Sequence, residues 1–311
     1  MITFFFLLSD NYSIKYLYCI SKKNELIKYF LGGFMKKLLA FALSAGLSIS
    51  LFATDIFTYV PITDNVKTYT ETEFSIASRF GTLYRTPSSK VMHVFDSNGK
   101  ETSSSELTPK DAVINTINST YDTEGNLVEQ LCTNADNEVV WKNTFAYKNG
   151  LKVDSSEFDR KGTLCARTIF TYDNNLLTDE SSYDGEGALI WKTIYKYDEN
   201  GRLLSLNEYN PDGSLSELSS YNYTDSGSID SVAKYDADTG KQTSLVFRYG
   251  TNGVLNEITT YNSDKQVIKR TLLKYDAKGN VNKVSEYNVA EKFGTTVNEL
   301  VNMSEYTFEY N

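Results

Sequence analysis

Histidine occurs once in the 311 residues, at position 93, and there are only 4 Pro, 3 Cys and 2 Trp. A single imidazole removes most of the acid–base and metal chemistry that depends on this side chain. No Lys/Arg cluster is present and the formal charge is -9, which argues against nucleic-acid binding, where basic residues neutralise phosphates. The few prolines, with 41% hydrophobic residues, 23 Tyr and 17 Phe, disfavour disorder and describe an aromatic, globular chain. Its length is enough to bury a substantial core.

The longest apolar runs lie at the N-terminus. From Met35 the chain reads Met-Lys36-Lys37, then an apolar stretch from Leu38 to Leu51-Phe52-Ala53 that ends on a small residue. A positive n-region, an apolar h-region and a small residue are the parts of a secretory signal peptide. The stretch is shorter than the roughly 20 residues of a membrane-spanning helix. Residues 1–53 are therefore expected to be a signal region, with translation starting at Met35 and cleavage near Ala53. No Cys follows the h-region, which excludes the lipid-modified type of bacterial signal. The remainder has 25 basic against 38 acidic residues, a net charge of -13. An exported, periplasmic or surface location with no stable transmembrane anchor is expected. Cys132 and Cys165 are too few for a disulfide framework and are read as independent thiols.

A period governs the rest. Tyr121, Tyr147, Tyr172, Tyr197, Tyr223, Tyr249 and Tyr275 recur every 25 or 26 residues, with Phe145, Phe170, Tyr195, Tyr221 and Phe247 two places before five of them. A second series, Phe158, Tyr183, Tyr209, Tyr235, Tyr261 and Tyr287, falls midway. Turn signals follow the markers, as in Asp122-Thr-Glu-Gly125, Asp159-Arg-Lys-Gly162, Asp198-Glu-Asn-Gly201 and Asn210-Pro-Asp-Gly213. The Asp or Asn side chain accepts bonds from the turn's own backbone, and the Gly supplies positive φ for a type I turn with a bulge. Lys148-Asn-Gly150 is shorter, Asp236-Ala-Asp-Thr-Gly240 is longer, and Asn262-Ser-Asp-Lys265 lacks the Gly.

Between turns lie alternating strand-like segments. In one of them Leu189, Trp191, Thr193, Tyr195 and Tyr197 share a face, opposite Ile190, Lys192, Ile194 and Lys196. Short turns make antiparallel neighbours, so the expected fold is all-β: tandem hairpins of two strands each in an extended, twisted or coiled meander sheet. Residues 54–94 are read as an N-terminal cap and residues 95–311 as the hairpin repeat domain. The last marker interval, from Tyr275 to Tyr310, is longer than the others, and its excess near 289–303 is expected to be a loop or short helix over the terminal edge.

The pattern Tyr195-Lys-Tyr197-Asp198-Glu-Asn-Gly201-Arg202-Leu203, followed by Tyr209-Asn-Pro-Asp-Gly213, resembles the YD repeats of Rhs-type bacterial surface and toxin-shell proteins. It is also similar to the MORN-like hairpin repeats of small bacterial proteins. The resemblance covers residues 95–310 and implies an exported β-hairpin array. The period here is longer than the usual YD unit, and Arg follows the turn Gly only at Arg202.

Chemistry-bearing motifs are sparse. His93 has no Gly-x-Ser-x-Gly elbow to serve, the turn acids act as turn formers without the tandem Gly-Gly-x-Gly-x-Asp calcium pattern, and no catalytic, cofactor or metal site is expected. The expected function is a non-catalytic binding or scaffold surface for another macromolecule in the bacterial envelope. The alternative is a carbohydrate or cell-wall binding module that uses the rings of Trp191, Tyr195, Tyr197, Tyr221, Tyr223, Phe247 and Tyr249. Those rings equally suit the packed face of a sheet, where cross-strand aromatic pairs stabilise.

Overall fold

Valine, isoleucine, threonine and aromatic residues dominate the segments between turns, and their branched or planar side chains suit a pleated surface. In the computed structural model, which describes residues 56–62, 65–80 and 82–311, nearly all of these segments are strands. The expected signal region, residues 1–53, lies outside the described residues. A 3-10 turn covers Ile56–Thr58. Residues from Val60 onward form a separate compact unit.

That unit contains β1 (Val66–Arg79), β2 (Thr82–Phe95), β3 (Glu101–Leu107), β4 (Val113–Tyr121), β5 (Leu127–Asn134) and β6 (Val139–Lys148). It continues with β7 (Leu151–Asp159), β8 (Leu164–Asp173), β9 (Leu176–Asp184), β10 (Leu189–Tyr197), β11 (Leu203–Tyr209) and β12 (Leu215–Tyr223). The last strands are β13 (Ile229–Asp236), β14 (Lys241–Tyr249), β15 (Leu255–Tyr261), β16 (Val267–Tyr275), β17 (Val281–Lys292) and β18 (Thr295–Tyr310). Each strand pairs antiparallel with its chain neighbours, and β1 also pairs with β18, from Val66 opposite Tyr310 to Ser75 opposite Asn302. The 18-stranded sheet is thereby a closed barrel.

The expected open meander is corrected by that one ladder. Local turns specify each hairpin, whereas closure joins residues more than 200 positions apart, which no short period encodes. The segment read as an N-terminal cap supplies β1 and β2, and the span near 289–303 is not a loop or helix but the outer part of the β17–β18 hairpin.

A single turn design supplies most of the curvature. At Asp198 the backbone N–H bonds the Arg202 carbonyl at 2.8 Å, and the Gly201 N–H returns to the Asp198 carbonyl at 3.0 Å. The Asp198 carboxylate accepts from the N–H groups of Asn200 and Arg202 at 2.9 and 2.8 Å, and Gly201 has φ +78°. The backbone pair recurs from Asp96 to Asp276, and Lys265 takes the left-handed place at φ 61° where the Gly is missing. Beyond each such turn the register slips by one residue: Tyr197 faces Leu203, but Lys196 faces Ser205. This bulge bends and twists the strand, which a closing sheet requires.

Following the register around the ring, one face of the strands carries Tyr69, His93, Ile117, Cys132, Phe170, Trp191, Val232, Phe247, Leu273, Val284 and Tyr306, all below a tenth exposed. Alternate positions such as Arg167, Lys196, Asn222, Arg248 and Lys274 are exposed. The concave side of a closed sheet is the crowded one, so the buried set is the inner wall. Cys132 on β5 and Cys165 on β8 are separated by two intervening strands.

Candidate functional site: the two walls of the barrel

The inner wall is aromatic at one rim. Tyr121, Tyr172, Tyr197, Tyr223, Tyr249 and Tyr275 each stand last or next to last in a strand, and each hydroxyl donates to the carbonyl 20 residues upstream: Glu101, Lys152, Leu177, Leu203, Ile229 and Leu255, at 2.5–2.9 Å. Every acceptor is the first residue of a bulge in the preceding strand. A bulge interrupts the ladder and leaves backbone polar groups short of partners. The tyrosine of the next hairpin supplies the donor, so the period of 25–26 residues is that of a staple as well as a strand. Burial raises the Tyr275 hydroxyl to about 12.

Deeper in the wall charged groups are enclosed, including the pairs Lys269–Glu286 and Lys234–Glu217 and two larger clusters. Glu180 on β9, 2% exposed, accepts from the Tyr195 hydroxyl, and Lys152 on β7 lies with its ammonium 4.4 Å from the centre of the Phe170 ring. Burial pushes the Glu180 carboxyl up to about 7 against the opposing pull of Lys152 and Tyr195. Burial likewise lowers Lys152, with Glu180 opposing. The second cluster lies at the closure. Tyr69 stacks on His93 at 4.3 Å, and the His93 Nδ1–H donates to Glu101 at 2.8 Å. The Tyr306 hydroxyl donates to Glu71 at 2.9 Å, and burial raises that carboxyl. His93 is thus engaged by a ring and a carboxylate. Among the described residues no group of three His, Cys, Asp or Glu is placed to hold a metal.

The ring residues read from the sequence all lie on this inner wall. Trp191 and Phe247 are buried and Tyr195, Tyr197, Tyr221, Tyr223 and Tyr249 are half-buried. The hydroxyls of Tyr197, Tyr223 and Tyr249 are committed to the staples. Glu180 and Lys152 escaped the sequence reading because nothing local marks their meeting. The constant spacing from each tyrosine to the residue opening the preceding strand was the available signal for the staples.

The outer wall mixes ion pairs with apolar residues: Ile169, Ile194 and Leu272 stand opposite Asp154, Asp179 and Glu257. Arg270 on β16 forks onto Glu257 on β15 with bonds of 2.8 and 2.9 Å. Arg167 on β8 meets Asp154 on β7 at 2.5 Å, and Lys192 on β10 pairs with Asp179 on β9. The Arg270 guanidinium holds Glu257 below the usual carboxylate range. These pairs sit within the strands, not at their ends.

Comparison with known proteins gives no assignment: no family model and no curated protein matches the sequence. Among solved structures, a porin-like protein from Bacteroides uniformis is 11% identical over 78% of this chain and 98% of its own, with a TM-score of 0.45. A porin-like protein from Bacteroides vulgatus is 11% identical over 68% and 99%, with a TM-score of 0.37. A TcdB2-TccC3-Cdc42 structure is 13% identical over 69% of this chain and 16% of its own, with a TM-score of 0.28. Likenesses this distant leave the fold to rest on its own hydrogen-bond ladder. The resemblance to YD-repeat and MORN-like arrays is corrected accordingly: the hairpins form a ring of 18 strands, not an open array.

Proposed function

We propose that the chain is an exported, non-catalytic barrel protein of the bacterial envelope, whose outer wall stands in water and offers an acidic binding surface to another macromolecule. The observation that carries this reading is the set of ion pairs within the outward faces of the strands, above all Arg270–Glu257, Arg167–Asp154 and Lys192–Asp179. A lipid-facing barrel wall needs an apolar band about 25 Å tall, and each Lys or Arg near its middle costs about 2–4 kcal/mol. Outward positions carry Lys, Arg, Asp, Glu, Ser and Thr, interspersed with Ile169, Tyr183, Ile194, Tyr209 and Leu272 opposite the members of those same pairs. The rings of Trp191, Tyr195, Tyr197, Tyr221, Tyr223, Phe247 and Tyr249 are turned inward, where they meet no surface polysaccharide. Among the described residues no helix is long and apolar enough to cross a membrane. The signal-like sequence from Met35 to Ala53 supports export.

The test is extraction and sedimentation of the protein made from its full gene. It is expected in the detergent-free soluble fraction as a monodisperse species, and in pull-downs it is expected to retain a specific envelope component in a salt-sensitive manner. A requirement for detergent at every step would refute the water-facing wall. Retention on purified cell-wall polysaccharide alone would favour a carbohydrate module.

A further inference from the structure

Two hairpins outgrow the barrel at the same rim. The β1–β2 ladder runs on to Arg79 opposite Thr82, although β1 leaves β18 after Ser75 and β2 meets β3 only from Lys90. The β17–β18 ladder runs on to Lys292 opposite Thr295, although β17 and β16 part at Asn288. The hairpins are neighbours through the β1–β18 pairing. Their tips repeat one sequence pattern, Arg79-Phe80-Gly81-Thr82 and Lys292-Phe293-Gly294-Thr295.

Both phenylalanines are fully exposed, at 108% and 106%, and both hold positive φ, 51° and 53°. Asn is the residue that such a tight hairpin position ordinarily takes, since bulky side chains are strained there. A large apolar ring on an unsupported tip stabilises nothing within the barrel. Leu83, Tyr84 and Val301 extend the apolar surface, exposed at 57%, 54% and 42%.

Charge indicates the occupant. The molecule is acidic, at -9, yet Phe74 to Phe95 contains Arg79, Arg85 and Lys90 and no Asp or Glu. Arg85 and Lys90 reach carboxylates only on other segments, Glu305 at 2.6 Å and Asp111 at 2.5 Å, and Arg85 stays half exposed. The β17–β18 tip carries Glu291 and Glu299 beside Lys292, so the cationic contact falls to the β1–β2 finger, whose basic, ring-tipped end is complementary to an anionic surface with an apolar interior. We propose that the two hairpins dock the barrel onto an anionic lipid bilayer, with Phe80 and Phe293 entering the acyl boundary and the basic β1–β2 hairpin lying among the headgroups. This rests on the water-facing outer wall proposed above, because a wall in lipid would make tip docking unnecessary.

The experiment is flotation of the purified full-gene product with preformed vesicles of phosphatidylglycerol and phosphatidylcholine, or of phosphatidylcholine alone. Wild type is expected to float with the anionic vesicles, to be released by salt, and to bind neutral vesicles more weakly. Phe80→Ser and Phe293→Ser are each expected to weaken binding about tenfold, and Arg79→Gln to weaken only the anionic preference, with unchanged circular dichroism and melting. Absence of flotation, equal flotation of the folded double Phe variant, or tip-dependent capture of a protein without vesicle binding would each overturn the proposal. A barrel wall embedded in lipid gives a different result: detergent dependence and resistance to alkaline extraction in wild type and tip variants alike.

Discussion

The arc from β3 to β16 and the closure quartet of β1, β2, β17 and β18 are built from the same residue types to different ends. Strands in the arc are 7–10 residues long, joined by short turns and tied by a tyrosine to the previous hairpin. The quartet has strands of 12–16 residues and holds the Tyr69–His93 stack and the Tyr306–Glu71 bond. Order in the arc is local and redundant, since a hairpin that loses one staple keeps two ladders. The quartet has a single seam, and everything that distinguishes a ring from a ribbon depends on it.

Removing β18 breaks this comparison most completely. Truncation after Thr295 is expected to abolish the cooperative melting transition and expose both sheet edges to aggregation, read by calorimetry and light scattering. Removing residues of the tip alone, 289–299, should leave the transition in place.

Single hydroxyls provide a graded version. Tyr306→Phe removes one of the two side-chain donors to the buried Glu71, leaving Ser304, and is expected to cost about 1–3 kcal/mol, the range for a buried polar group that loses a partner. Tyr197→Phe removes one staple of several, between half-buried residues, and is expected to cost about 1 kcal/mol. Denaturant unfolding of both variants measures the difference, and equal costs would mean that seam and arc are not distinct.

Protonation sharpens the contrast within the arc. Glu180 has its carboxyl raised from 4.5 to about 7, so in that interval the unfolded chain has lost a proton that the folded chain keeps. Stability contributed by the neutral form is therefore full below about 4.5 and falls as pH rises toward 7. Glu180→Gln is expected to flatten that slope in pH-dependent melting. The turn acids have the opposite sign. Asp96, Asp122 and Asp198 are held below the ordinary carboxylate range by backbone N–H groups and neighbouring side chains, so their contribution is present above about 4 and lost as pH falls through the lowered values.

The smallest effect concerns a turn that lacks its glycine. Lys265→Gly, relieving a left-handed lysine at φ 61°, is expected to raise stability by up to about 1 kcal/mol without altering the barrel. A destabilised variant would show that the turn has a different conformation.

Strands and turns were legible because each is written within a few residues: Asp198 and Gly201 specify a turn wherever they occur, and Trp191, Thr193 and Tyr195 alternate on one face. The curvature was legible only in part. A leucine, isoleucine or valine follows most markers by six residues, as Leu203 follows Tyr197, and marks the bulge. Closure was not legible, because Val66 opposite Tyr310 is a relation between chain ends. For the same reason Trp191 and Phe247 could be seen to share a sheet face, but not that the face turns inward.

The β1–β18 seam also fixes an order in time. Residue 66 has no outer neighbour until the segment near residue 310 exists, so the ring is the last structure the growing or translocating chain can complete. Until then β1 presents an open edge, and each newly made hairpin presents another. Contacts of such long sequence separation form slowly. An exported chain of this design has to stay unfolded, or be sheltered, until its final strand has crossed.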